Sequence, residues 1–209
     1  MSGTIAELIL SVNTLMIVVG SVRPGRIGLP IAQWVHREVE AVHGSDEPSV
    51  RGFGADLTVD FVDLAELALP FMDEPAHPVK RTYTKQHTID WSSRVDAADA
   101  FIFVTPEYNH SYSPALKNAL DFLSAEWKHK PVTFVSYGGT SGGTRGVVAL
   151  EVVTNALGLV RTAASIELPF AMRDVVDGIY AGDEKATATL TKALAELATT
   201  SAALAPLRA

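Results

Sequence analysis

The chain has 209 residues, long enough for one domain with a continuous hydrophobic core, and its 47% hydrophobic and 20% charged content is that of a folded globular protein. A net charge of −7 and a pI near 5.3 leave no electrostatic footprint for nucleic acid or for an anionic membrane surface. The absence of cysteine excludes disulfides, thiolate nucleophiles, iron–sulfur clusters and cysteine-based zinc sites, so electron chemistry would have to come from a bound cofactor.

Residues Met1 to Asn13 contain a short apolar run, Leu8-Ile9-Leu10, with no basic segment before it and no cleavage pattern after it. They read as a loose extension of a cytoplasmic protein, and no apolar stretch reaches the length that spans a membrane. Leu15 to Val19 is a continuous apolar run closed by Gly20, as expected of a parallel strand buried on both faces. A helix over Leu29–Val42 follows, with Ile31, Val35, Val39 and Val42 on one face. His43 to Ala55 reads as a surface loop, and Thr58–Val62 as a second strand. Pro70, Pro75 and Pro78 then impose irregular structure.

A helix over Thr82–Ala98 is predicted to bury Ile89, Trp91 and Val95. Ala100 to Val104 is the third strand, and Ser113-Pro114 opens a helix with a cap and a first-turn proline. On that helix Leu116, Leu120 and Leu123 face the sheet, while Trp127 is either core or a partner contact. A fourth strand over Val132–Val135 runs into the glycine cluster from Gly138 to Gly143. A helix over Val147–Leu157, an alternating strand over Thr162–Leu168 and an Ala/Leu-rich helix over Glu184–Leu204 complete the chain. This alternation predicts a flavodoxin-like α/β sandwich: a five-stranded parallel sheet of order 2-1-3-4-5 with helices on both faces.

In that topology the loops after strands one, three and four lie side by side beyond the carboxyl end of the sheet, where ligands bind. The first loop, Gly20 to Gly28, leads from a buried strand into a helix, so its free N–H groups favour an anion. Ser21 can donate to a phosphate, and Arg23 and Arg26 can pair with one. Arg26-Ile27 stands where a P-loop requires Lys-Ser/Thr, which argues against triphosphate hydrolysis. The second loop, Thr105 to Pro114, offers Tyr108, Asn109 and many backbone polar groups on a proline-stiffened frame, a set suited to a planar heteroaromatic. The third, Ser136 to Gly143, lets backbone approach a ligand closely. It also carries Gly139-Thr140-Ser141-Gly142-Gly143, the pattern of a hydrolase nucleophile elbow. That reading fails on chain order, because all 6 histidines precede Ser141.

Together, Gly20-Ser21-x-Arg23, Pro106-Glu107-Tyr108-Asn109-His110-Ser111 with Lys117-Asn118-Ala119-Leu120-Asp121 behind it, and Ser136-Tyr137-Gly138-Gly139-x-x-Gly142-Gly143 resemble the NADPH-dependent FMN reductase family from about Thr14 to Phe170. The resemblance implies FMN and NADPH or NADH as cofactors, and hydride transfer from nicotinamide to flavin and on to a small-molecule acceptor such as a flavin or quinone. It implies FMN-phosphate binding by Ser21, Arg23 and the backbone near Ile27 and Gly28. Pro106, Glu107, Tyr108 and Asn109 would line the isoalloxazine ring, and Ser136, Gly138 and Gly139 would border its pyrimidine end. Arg26 and Gly28 stand where many members carry Ser and Asn: either Arg26 replaces those donors with a charge-assisted contact, or FMN is held less tightly. No side chain is expected to act as a nucleophile or general base, and no metal is called for. Arg145 and Arg81 are candidates for a nucleotide 2′-phosphate, and the family implies a homodimer or a tetramer.

Overall fold

The computed structural model describes residues 12–45 and 52–208. Its first strand, β1 (Val12–Val19), starts three residues ahead of the expected Leu15 and takes in Val12 and Asn13 of the expected loose extension, whose residues 1–11 lie outside the described residues. Pleating sends alternate β1 side chains into two cores. Leu15, Ile17 and Val19 join one, and Met16 and Val18 join the other. Being buried on both faces is why the run is continuously apolar.

The strands β2 (Phe53–Asp63), β1, β3 (Ala100–Pro106), β4 (Pro131–Gly138) and β5 (Val160–Arg161) lie in that order, every neighbour parallel. The order is the one predicted. β2 is longer than expected and takes in the end of the predicted loop. A register shift between Val12 and Thr14 lets Phe53 pair with Val12 ahead of the Thr14–Thr58 pair.

The predicted last strand is two short pieces, β5 and β6 (Ile166–Pro169), both paired with β4. Between them the chain leaves the ladder: Thr133 Oγ1 donates to Ala164 O at 2.7 Å, and Ala164 N donates to Glu196 at 2.7 Å. A small hairpin of β7 (Val175–Val176) and β8 (Ile179–Tyr180) follows, turning on Asp177 and Gly178, both at positive φ.

On one face α1 (Gly28–His43) and α6 (Glu184–Leu204) pack Ile31, Trp34 and Val35 with Leu190, Leu194 and Leu197 against the sheet. On the other lie α3 (Gln86–Ala97), α4 (Pro114–Asp121) and α5 (Thr144–Ala156), with the short α2 (Leu64–Leu67) at the edge. α3 starts at Gln86 rather than Thr82 because the Thr84 and Lys85 N–H groups bind the Glu74 carboxylate at 2.9–3.1 Å. Its inward stripe is Thr88, Trp91, Ser92 and Val95, a helical repeat that leaves Ile89 exposed, contrary to expectation. Leu116, Leu120 and Leu123 are buried as predicted. Trp127 is core, and its Nε1 donates to Leu120 O at 3.2 Å.

Candidate active site

The strands β1, β3 and β4 end together, and their three loops meet there. Glu107 N donates to Tyr137 O at 3.1 Å, and Gly20 N donates to Val104 O at 2.8 Å, so the ladder fixes where each loop departs. The groups enclose a cavity of about 170 Å³ lined by Ser21, Arg23, Arg26, Ile27, Pro106, Glu107, Tyr108, Tyr137, Gly138 and Met172. Eight of these are residues singled out from the sequence; Tyr137 and Met172 are not.

The first loop turns into α1 at Ile27, which contributes no side-chain cap, and the first helical turn has no acidic residue. Among the described residues no side-chain cap meets the free N–H groups of this turn or the positive end of its dipole, beside a cavity that Ile27 lines. Ser21 is buried, and its Oγ lies 2.7 Å from Tyr108 Oη, tying the first loop to the second. Arg23 is exposed and makes no side-chain ion pair among the described residues. Arg26 is already engaged: its guanidinium pairs with Asp63, which also accepts from Ala65 N at 2.9 Å to cap α2. Only the Arg26 Nε is left buried without a partner.

In the second loop Tyr108 and Ser111 exchange backbone hydrogen bonds at 2.9 and 3.0 Å. Asn109 and His110, between them, have φ of +50° and +66°, the signature of a two-residue type I′ turn that asparagine tolerates. Asn109 is thus held on the exposed rim instead of lining the cavity.

Glu107 fastens the second loop to the third. Its carboxylate accepts from Ser141 Oγ at 2.7 Å, Arg145 Nε at 2.7 Å and Arg145 N at 3.2 Å. Burial alone would raise its pKa, but the bonds from Arg145 and Ser141 hold it below the ordinary carboxylate range. Arg145 is consumed in this clamp, so it offers no free charge to a nucleotide. The partners of the Ser141 hydroxyl are Glu107, Gly143 N and Arg145, none of them histidine, and the nucleophile-elbow reading lapses.

Ser136 is fully buried under the third loop, where its Oγ donates to Gly142 O at 2.9 Å; Gly139 lies in open loop, and neither lines the cavity. Gly143 turns the chain into α5 at φ +93°, where a Cβ would come within 2.7 Å of Tyr137 N. Gly28 sits behind the cavity wall, against Tyr137.

Tyr137 could have been found from the strand alternation, since it is the last large side chain before the glycines at the end of β4. Its hydroxyl is buried and makes no hydrogen bond of good geometry among the described residues, and burial raises its pKa, so it stays a proton donor. Met172 is exposed on the 3₁₀ turn after β6, where no periodicity announces it.

A larger apolar groove of about 550 Å³ lies on the other side of the first loop, between Val22, residues 64–71 and α4. Arg81 is not at this end. It pairs with Asp96 at 3.1 Å and Glu126 at 3.2 Å among residues that precede β3 and β4. Among the described residues there is no His/Cys/Asp/Glu group able to hold a metal, and no helix is long and apolar enough to cross a membrane.

Comparison with known proteins agrees with this geometry. The chain is 40% identical over 143 residues to an NAD(P)H-dependent FMN reductase of Schizosaccharomyces pombe, covering 67% of this chain and just under two thirds, 66%, of that protein. It is 35% identical over 172 residues to an NAD(P)H-dependent FMN reductase of Nectria, covering 79% of this chain and 80% of that one. Among solved structures, the flavoenzyme NAD(P)H:(acceptor) oxidoreductase FerB of Paracoccus denitrificans shares the fold at a TM-score of 0.66 and 19% identity, covering 90% of this chain and 98% of that one. The sequence profile described as NADPH-dependent FMN reductase matches residues 13–171, a span that takes in all three loops. The chain belongs to the NADPH-dependent FMN reductase family of flavin-dependent oxidoreductases.

Proposed function

We propose that this protein is a cytoplasmic NAD(P)H-dependent reductase that holds FMN in a single domain, at the carboxyl end of its sheet, and passes reducing equivalents to a flavin, quinone or similar small acceptor. The observation that carries the reading is the convergence of three loops on one cavity that combines an uncapped helix N-terminus, a free arginine and a tyrosine-lined wall. When bound, FMN supplies the hydride-accepting chemistry that no side chain here provides.

The residues present fit the group. Ser21, Arg23 and the first turn of α1 suit the phosphate, and the buried Tyr137 hydroxyl without a partner marks the same place as incomplete. Pro106, Glu107 and Tyr108 would bear on the ring from one side, with Asn109 at its rim, and Gly138 with Gly139 would let backbone N–H groups approach its pyrimidine edge. Ser136 acts from beneath, holding the third loop through Gly142. Arg26 serves by bracing the loop on Asp63, and Gly28 by leaving room for Tyr137.

The cavity is smaller than the roughly 300 Å³ at which pockets for drug-sized ligands begin, so part of the cofactor would lie on the surface, open to a nicotinamide and then to the acceptor. A homodimer belongs to the proposal. The apolar groove beside the site, with Phe71 87% exposed on its edge, is the surface such pairing would cover.

The test is anaerobic. FMN is titrated into the purified protein, and NADPH or NADH is then added while the visible spectrum is recorded. Flavin bands that shift on binding and then bleach rapidly are expected. Bound flavin that stays oxidised with both nucleotides would contradict the reading and leave an FMN carrier reduced by another protein.

A further inference from the structure

Position 28 is glycine, and the space in front of it is not empty. A Cβ built there would lie 2.3 Å from Tyr137 Oη and 3.2 Å from its Cζ, so the phenol occupies the room that a side chain at position 28 would use. That hydroxyl sits at the N-terminal end of α1, with Ser21, Tyr108, Arg23 and Arg26 as the polar groups around it. Ser21 Oγ, bonded to Tyr108 Oη at 2.7 Å, is near enough to stabilise a Tyr137 phenolate, but the Tyr137 hydroxyl meets no described group in hydrogen-bonding geometry. Leaving a buried hydroxyl unpaired is costly, and an unmet buried group calls for a partner outside the protein. The cations beside it are Arg23, which is exposed, and Arg26, which is paired with Asp63, and the one carboxylate lining the cavity, Glu107, is bound by Arg145 and Ser141. The missing partner is therefore an anionic acceptor.

Resting on the FMN reading above, we infer that the Tyr137 hydroxyl donates a hydrogen bond to the phosphate of FMN, and that Gly28 is the residue that makes room for it. The side chain comes from β4, whereas the other phosphate donors come from the first loop. Tyr137 thus couples the phosphate end of the cofactor to the strand that carries the glycine-rich loop. It is a discriminating contact: a flavin without the phosphate leaves the hydroxyl as it is in the free protein.

The experiment compares FMN with riboflavin, which lacks the phosphate, by fluorescence-quenching titration of the wild-type protein and Tyr137→Phe, with thermal melting of both ligand-free proteins. Loss of one hydrogen bond to a charged group lowers FMN affinity roughly ten- to a hundredfold, with riboflavin affinity unchanged within about twofold. The ligand-free variant melts at the same temperature or higher, because an unpaired hydroxyl has been removed. FMN affinity that is unchanged would overturn the inference and assign the hydroxyl to a bound water. An equal loss for both flavins would also overturn it, since the tyrosine would then act by packing. A wild-type protein that binds neither flavin would instead overturn the FMN reading itself.

Discussion

The two ends of the sheet contain the same kinds of residue and use them differently. At the carboxyl end a tyrosine hydroxyl, the Arg23 side chain and a helix N-terminus have no partner among the described residues. At the amino end the two buried charges, Glu126 and Lys130, have found theirs. Glu126 is fully buried yet accepts from Ser92 Oγ at 2.7 Å, Tyr83 Oη at 2.8 Å, Ser124 N at 3.1 Å and Arg81 at 3.2 Å. Lys130 is buried too, and its Nζ donates to Val95 O at 2.8 Å and Asp96 O at 2.9 Å, closing the end of α3. Buried charge is tolerated only when fully satisfied. The amino end is accordingly a fastening, and on the proposed reading the carboxyl end is half of one, completed by a ligand.

The comparison breaks most visibly at Glu126. Glu126→Ala strands Ser92 and Tyr83 and leaves Arg81 with Asp96 alone, and should lower the stability of the ligand-free protein by about 3 kcal/mol, read from urea denaturation midpoints. The ratio of FMN to riboflavin affinity should not move, because the residue is at the far end of the sheet. A changed ratio would mean that the two ends are coupled.

At Lys130 the difference between the two ends depends on pH. Burial depresses its pKa from 10.5 to about 8, against the opposing pull of Asp96, Asp99 and Glu126 and with the help of Arg208. Between about pH 8 and 10.5 the unfolded chain holds the proton more tightly than the folded one, so stability rises with pH across that window and is flat below it. Both carbonyl bonds survive deprotonation, since a neutral amine still has two N–H donors. Lys130→Met should abolish the rise, measured as melting temperature against pH. A rise that persists in the variant would assign it to another group.

The smallest effect is expected at Ser141. Ser141→Ala removes one of the bonds to Glu107 while Arg145 keeps the others, so it should cost about 1 kcal/mol and change FMN affinity by no more than a few fold. Detectable hydrolysis of p-nitrophenyl esters by the wild type, lost in this variant, would restore the nucleophile reading.

The sheet was legible in the sequence because β1 and β3 carry the unbroken apolar runs Leu15–Val19 and Ala100–Val104, and β4 is apolar apart from Thr133 and Ser136, as strands buried on both faces require. The edges were less so. β2 gains its first residues through a register shift, and the fifth strand is broken where side chains of Thr133 and Glu196 replace the ladder. Neither event leaves a periodic trace. The Asp177-Gly178 pair does signal the small hairpin, but the strands around it are too short to alternate.

At the site, residue types located the loops, while the allotment of each side chain needed coordinates. Arg26 reads as a phosphate ligand until Asp63, 37 residues away, is found to hold it. Asn109 reads as a ring contact until its positive φ shows that the turn needs it. Gly28 and Tyr137 are informative only as a pair, and nothing in their sequence separation brings them together.

The most direct test of the contrast between the two ends is amide hydrogen exchange with and without FMN, followed by mass spectrometry. Protection confined to peptides covering residues 20–29, 106–111 and 136–145, with exchange around residues 81–99 and 124–130 unchanged, is the predicted result. Protection centred on the amino end, or spread evenly over the chain, would contradict the account, because the unsatisfied groups at the carboxyl end would then not be the ones a ligand completes.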